Sequence, residues 1–191
     1  KLGAGDLHTS TRISNMQITT EGQPIGMFYG YTTDGIYTSV DDVINYGKVP
    51  YGVSDAVNPK TGNLIWHEDA INQVGHFRFK DINGDGKITA DDRSMIGNPH
   101  PDLTGGVNLG FGYKNWDLST YLYYSIGNDL YAHYEYYTLW GNLGKSYSYD
   151  RVEQAWHPKD NPNGTLPMFS VLDSSAQATQ SHSHYIQDGS Y

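Results

Sequence analysis

Val107-Asn108-Leu109-Gly110-Phe111-Gly112-Tyr113-Lys114-Asn115-Trp116-Asp117-Leu118-Ser119-Thr120-Tyr121-Leu122-Tyr123-Tyr124 is the stretch that decides the fold class. Apolar and small or polar residues alternate on both sides of Lys114-Asn115, the period of two that marks a strand. A two-residue loop at Lys114-Asn115 pairs Tyr113 with Trp116, Phe111 with Leu118, Leu109 with Thr120 and Val107 with Leu122. In that register the larger apolar members all share one face, and a slip of one residue would scatter them. The expected fold class is therefore all-β and antiparallel.

That apolar face has two possible neighbours, a second sheet in a soluble sandwich or lipid around an outer-membrane barrel. Each strand has about ten or eleven residues, the length a tilted strand needs to cross the hydrocarbon core. Tyr113 and Trp116 flank the short turn, where an aromatic girdle marks the membrane interface. The opposite face carries Gly110 and Gly112, which suit a wide lumen better than a packed core. These details favour a transmembrane barrel and leave the sandwich open.

Composition agrees with either. The chain has 191 residues with 12 basic and 21 acidic side chains, a net charge of −9. No basic stripe is available to meet phosphates, which argues against a nucleic-acid partner. With no cysteine, disulfides, Cys-ligated zinc and cysteine nucleophiles are excluded. The mean hydropathy of −0.60 and the lack of a long apolar run exclude a spanning helix, a test to which barrels are blind. Tyr at 17 and Gly at 22 suit extended strands joined by long loops. No Gly-x-Ser-x-Gly elbow, phosphate loop or zincin motif is present, so an enzyme is not expected.

Asp81-Ile82-Asn83-Gly84-Asp85-Gly86-Lys87-Ile88-Thr89-Ala90-Asp91-Asp92 has the spacing of a twelve-residue calcium loop. Hard Ca²⁺ wants oxygen donors. Asp81, Asn83 and Asp85 stand at positions 1, 3 and 5, Gly86 at the sharp turn, and the Lys87 carbonyl at 7. Thr89 stands at 9, and Asp92 closes the set where an EF-hand has Glu. Ile88 is expected to face inward. An alternating strand, His76 to Lys80, enters the loop, and a helical turn capped by Thr89 with Asp92 at N3 leaves it. A lone loop without a second helix has nothing to open, so the expected role of calcium is structural. The loop is similar to a dockerin repeat too, but dockerins carry two and this chain has one.

Elsewhere the signals are weaker. Residues 11–18 alternate faintly as one strand, 41–75 show no periodic pattern, and Asn58 to Asn63 read as a turn. His182-Ser183-His184 and His67-Glu68 are candidate chelating pairs but read more simply as solvated loop residues. Asp41-Asp42 and 160–163 read as solvated turns. The aromatics of 131–137 and Trp140 are suited to stacking on sugar rings, with lipid or loop packing the simpler reading.

The landmarks also come in a familiar order. Gln23-Pro24-Ile25-Gly26-Met27-Phe28-Tyr29-Gly30-Tyr31 with Thr33-Asp34-Gly35-Ile36-Tyr37 resembles a stretch of the SusC/RagA-family TonB-dependent outer-membrane transporters of Bacteroidetes. So does Phe79 to Ile88, running on through Asp92-Arg93 to Ile96-Gly97-Asn98-Pro99-His100-Pro101. The hairpin follows, ending in Gly127-Asn128-Asp129-Leu130-Tyr131, and then Trp156-His157-Pro158 with Asn161-Pro162 and Pro167. Ile186 to Tyr191 resembles the lead-in to a further barrel strand.

The resemblance implies an internal fragment from the C-terminal half of a barrel of about 22 strands. It implies a strand region at 21–40, extracellular loops at 41–75 and 126–191, a calcium-loop region at 76–101 and the hairpin at 103–125. By the same resemblance the location is the outer membrane. The activity is TonB-energised import of oligosaccharides or peptides beneath a SusD-like lipoprotein.

Overall fold

A computed structural model describes residues 8–9, 16–20, 22–135, 148–169 and 180–191. Its strands all pair antiparallel, in four small sheets. The largest has the order β1 (His8–Thr9), β2 (Gln17–Thr19), β3 (Met27–Gly30) and β6 (Ser94–Gly97). β4 (Thr33–Ile36) pairs with β5 (Phe77–Phe79), β7 (Leu103–Tyr113) with β8 (Trp116–Ile126), and β9 (Asp129–Tyr131) with β10 (Ile186–Asp188). The strand expected at 11–18 is seen from Gln17 onward; residues 11–15 lie outside the described residues.

The β7–β8 register is the one expected, with Tyr113 opposite Trp116 and Val107 opposite Leu122. Lys114 takes the left-handed φ of 54° that a tight hairpin turn demands at its first central residue. The apolar face is uncovered: Phe111 is 65% exposed and Trp116 79%. A sandwich would bury those side chains, and among the described residues nothing packs on them. At its far end β8 gains a neighbour, since Ser125 and Tyr191 exchange both backbone hydrogen bonds at 2.8 Å.

The core lies instead around the acidic loop. Tyr31 stacks on Phe79 at 4.8 Å, and both pack with Phe77 and Ile88 in a buried cluster flanked by Ile36 and Tyr51. A second cluster joins Tyr37, Val43 and Ala70.

Residues 41–75 carry regular structure that the sequence reading did not assign. Helix α1 (Val40–Tyr46) starts at Ser39, whose hydroxyl accepts the Asp42 N–H, and stops at Gly47 with φ 69°. Helices α2 (Ile65–Glu68) and α3 (Ala70–Gln73) are single turns. Asp41 and Asp42 are thus first-turn helix residues, and Asp42 also accepts from Thr38 N–H and Arg78 Nη1. The turn from Asn58 to Asn63 is present, closed by hydrogen bonds between Asn58 and Asn63 and between Gly62 and Asn58. Farther on, α4 (Tyr149–Gln154) is capped by Ser148.

Candidate functional site: the acidic loop

β5 delivers the chain into the acidic loop. Its end is fixed by Lys80 N–H on the Thr32 carbonyl at 2.9 Å and by the Tyr46 hydroxyl on the Phe79 carbonyl at 2.8 Å. Gly84 and Gly86 take φ of 77° and 83°, a region costly for any side chain, so the tight turn depends on them. The loop's second half docks on residue 49, where Val49 N–H meets the Gly86 carbonyl and Ile88 N–H meets the Val49 carbonyl, both at 2.9 Å. This seats Ile88 in the aromatic core, as expected.

The strand–loop–helical turn unit forms as the sequence indicates. Ala90–Asp92 is one 3₁₀ turn; Thr89 accepts the Asp91 and Asp92 N–H groups, and the Asp92 carboxylate accepts the Thr89 N–H at 2.7 Å. The chain then enters β6.

The named loop residues divide into two groups. Asp81 accepts from Gly84 and Gly86 N–H, Asn83 from Asp85 N–H, and Asp85 from Lys87 N–H and from the Asn83 amide at 3.2 Å. Each of these side chains is thus engaged with the loop's own N–H groups. Asp92 is wholly buried, and its carboxylate accepts from Ile82, Asn83 and Thr89 N–H. Among the described residues no group of three His, Asp or Glu side chains stands in metal-holding proximity.

One participant was absent from the sequence reading. Lys48 Nζ stands 2.8 Å from Asp81 Oδ2, and the Asp81 side chain is only 2% exposed. The Lys48 ammonium first, then the N–H groups of Gly86 and Gly84, hold the Asp81 carboxyl below the usual carboxylate range. The Lys87 amine is turned away toward Asp55, leaving its carbonyl as the group of interest. No motif announces Lys48, because it reaches the loop only through the docking of residue 49.

The histidine reading needs correction. His182 is not solvated; it is wholly buried, stacked on Tyr185 at 4.4 Å and edge-on to Phe77 at 4.9 Å. His67 lies against Trp66, while Glu68 accepts from Asn58 and Thr61 and caps the 58–63 turn, so neither pair is arranged as a chelate. Asp160 stays on an exposed turn beside His157. Of the aromatics, Tyr131 packs on Phe28 and Tyr185 and Tyr134 stands exposed; residues 136–140 lie outside the described residues.

No family model matches the chain. It is 32% identical over 175 residues to TonB-dependent receptor P3 of Formosa agariphila, covering 92% of this chain and 15% of that protein. The chain is homologous to one segment of the TonB-dependent receptors. Two further receptors of that organism agree: P26, 34% identical over 118 residues, covering 62% of this chain and 12% of that protein, and P39, 28% identical over 189 residues, covering 90% and 18%. The chain therefore spans less than a fifth of the length of the TonB-dependent receptors it matches. TonB-dependent receptors are outer-membrane proteins of Gram-negative bacteria and transporters rather than enzymes, and the outer membrane is the location of this segment.

Proposed function

We propose that the chain forms part of the wall and outer loops of a SusC/RagA-type transporter that imports oligosaccharides or peptides. Import is energised through TonB and handled with a SusD-like lipoprotein on the cell surface. The observation that carries this reading is the β7–β8 hairpin: eleven residues in each strand and one uncovered apolar face rimmed by Tyr113 and Trp116. Lipid is the neighbour that such a face suits. The rival reading, a secreted calcium-dependent carbohydrate-binding sandwich, needs a second sheet over that face. The test is growth on defined oligosaccharides or peptides by cells lacking the full-length receptor, with co-purification of its surface lipoprotein. A substrate-specific growth defect relieved by the intact gene supports transport. A secreted product with no growth phenotype contradicts it.

Within this reading the acidic loop is a structural calcium site on the outer face, held by Asp81, Asn83, Asp85, the Lys87 carbonyl and Asp92. The support is the twelve-residue spacing of oxygen-bearing side chains and the two left-handed glycines, Gly84 and Gly86, that turn the loop between Asp81 and Lys87. Extracellular calcium modules bind at roughly 10⁻⁴–10⁻³ M. Terbium or calcium titration followed by luminescence or protease protection reads the site without any transport assay.

A further inference from the structure

Residues 181–185 form a strap laid across the junction of β3 and β4. Tyr31 N–H donates to the Ser181 carbonyl and Ser183 N–H to the Tyr31 carbonyl, both at 2.9 Å. Thr33 N–H donates to the Ser183 hydroxyl at 3.0 Å, and the two hydroxyls meet at 2.9 Å. The approach is so close that a Cβ on Gly30 would lie 2.2 Å from the Ser181 carbonyl oxygen. The strap's plug is His182, inserted among Phe77, Phe79 and Tyr185.

That imidazole is unusual in being wholly buried with neither ring nitrogen hydrogen-bonded. Among the described residues the groups facing it are the rings of Phe77 and Phe79 from β5 and of His184 and Tyr185 of the strap itself, with Tyr31 bridged to it through the backbone. None is a carboxylate, and the only other basic group among them, His184, would oppose a charge on it. Among the described residues an imidazolium here would find no counter-ion and no acceptor for its two N–H groups.

We infer that the strap is an acid-released latch: His182 seats only as neutral imidazole, and its protonation frees residues 181–185 from Tyr31 and Thr33. The released plug would uncover Phe77 and Phe79, the same cluster that anchors Ile88, so the latch bears on the acidic loop from the inside. Burial, followed by His184, holds the His182 pKa well below the ordinary 6.5, consistent with this exclusion. The latch needs neither bound calcium nor transport.

The experiment is hydrogen exchange on the full-length receptor in outer-membrane vesicles, following the Tyr31 and Ser183 amides from pH 7.5 downward. Because the open state takes up a proton that the seated state refuses, protection should fall about tenfold per pH unit below about 6.5 for His182 alone. His184 on the same strap adds to that slope. His182→Phe keeps the plug and should lower the slope by one proton. A flat wild-type profile, or an unchanged slope in His182→Phe, overturns the latch. Should Phe fail to seat, C2-hydrogen exchange of His182 in the wild type decides: titration well below 6.5 supports the latch, and titration at 6.5 overturns it.

Discussion

The Asp92 carboxylate reaches back across the acidic loop to the Ile82 N–H, 2.9 Å from Oδ1, while its other oxygen holds the Thr89 N–H at 2.7 Å. One buried side chain thus ties the loop's first residues to its last. Removing it strands N–H groups at a part-buried site. Asp92→Ala should destabilise the loop region by about 1–2 kcal/mol, below the full cost of about 1–3 kcal/mol for each fully buried donor left unpaired. Asp92→Asn keeps one acceptor oxygen and should cost less. Denaturant or thermal unfolding with calcium chelated checks the order.

If the loop takes calcium as proposed, Lys48 and calcium compete for Asp81. The ammonium already holds the first carboxylate of the proposed ligand set, so an entering divalent ion must share or displace it. Lys48→Met should therefore bind calcium more tightly than wild type, and Asp85→Ala should lose calcium-dependent protection from protease. Equal affinity in Lys48→Met would show that Lys48 does not compete for Asp81, and full protection in Asp85→Ala would remove Asp85 from the ligand set.

The same pair sets an acid response without metal. Asp81 has its folded-state pKa lowered by Lys48, so its contribution is complete above the unfolded carboxylate value of about 3.9 and is lost as pH falls through the lower folded value. In Lys48→Met the loss should move to higher pH. Proteolysis of the chelated loop across pH 2 to 5, using an acid-active protease, reads the shift.

Gly30 tests the strap from its other side. Gly30→Ala puts a methyl against the Ser181 backbone, which cannot yield as a side-chain tip can. Residues 180–185 should lose exchange protection at neutral pH, whereas Gly110→Ala, with open space around it, should leave the fold intact.

What could be read from the sequence was what local rules decide. The β7–β8 register follows from a period of two and a two-residue turn, and the Thr89–Asp92 capping box from a spacing of three. The signals for α1 were present in Ser39 and Gly47, but its apolar positions Val40, Val43 and Ile44 were lost among Asp and Asn. Lys48 against Asp81 and His182 against Phe77 and Phe79 were invisible, because no local pattern encodes contacts between residues so far apart in the chain. The sharp turn at Gly86 followed from the loop spacing, while the cation standing at Asp81 is an amine delivered from another segment.

In the proposed barrel β7 and β8 cross the outer membrane with Leu109 toward lipid and Asn108 toward the lumen. A charge should then be costly on one face only: Leu109→Arg should lose about 2–4 kcal/mol near the midplane and reduce assembled receptor, and Asn108→Arg should be tolerated. The most direct measurement places a spin label on a single cysteine at either position of the full-length receptor in membranes and compares access to oxygen and to a water-soluble nickel complex. A membrane-crossing hairpin gives high oxygen and low nickel access at 109, and the reverse at 108. High nickel access at both positions would contradict it.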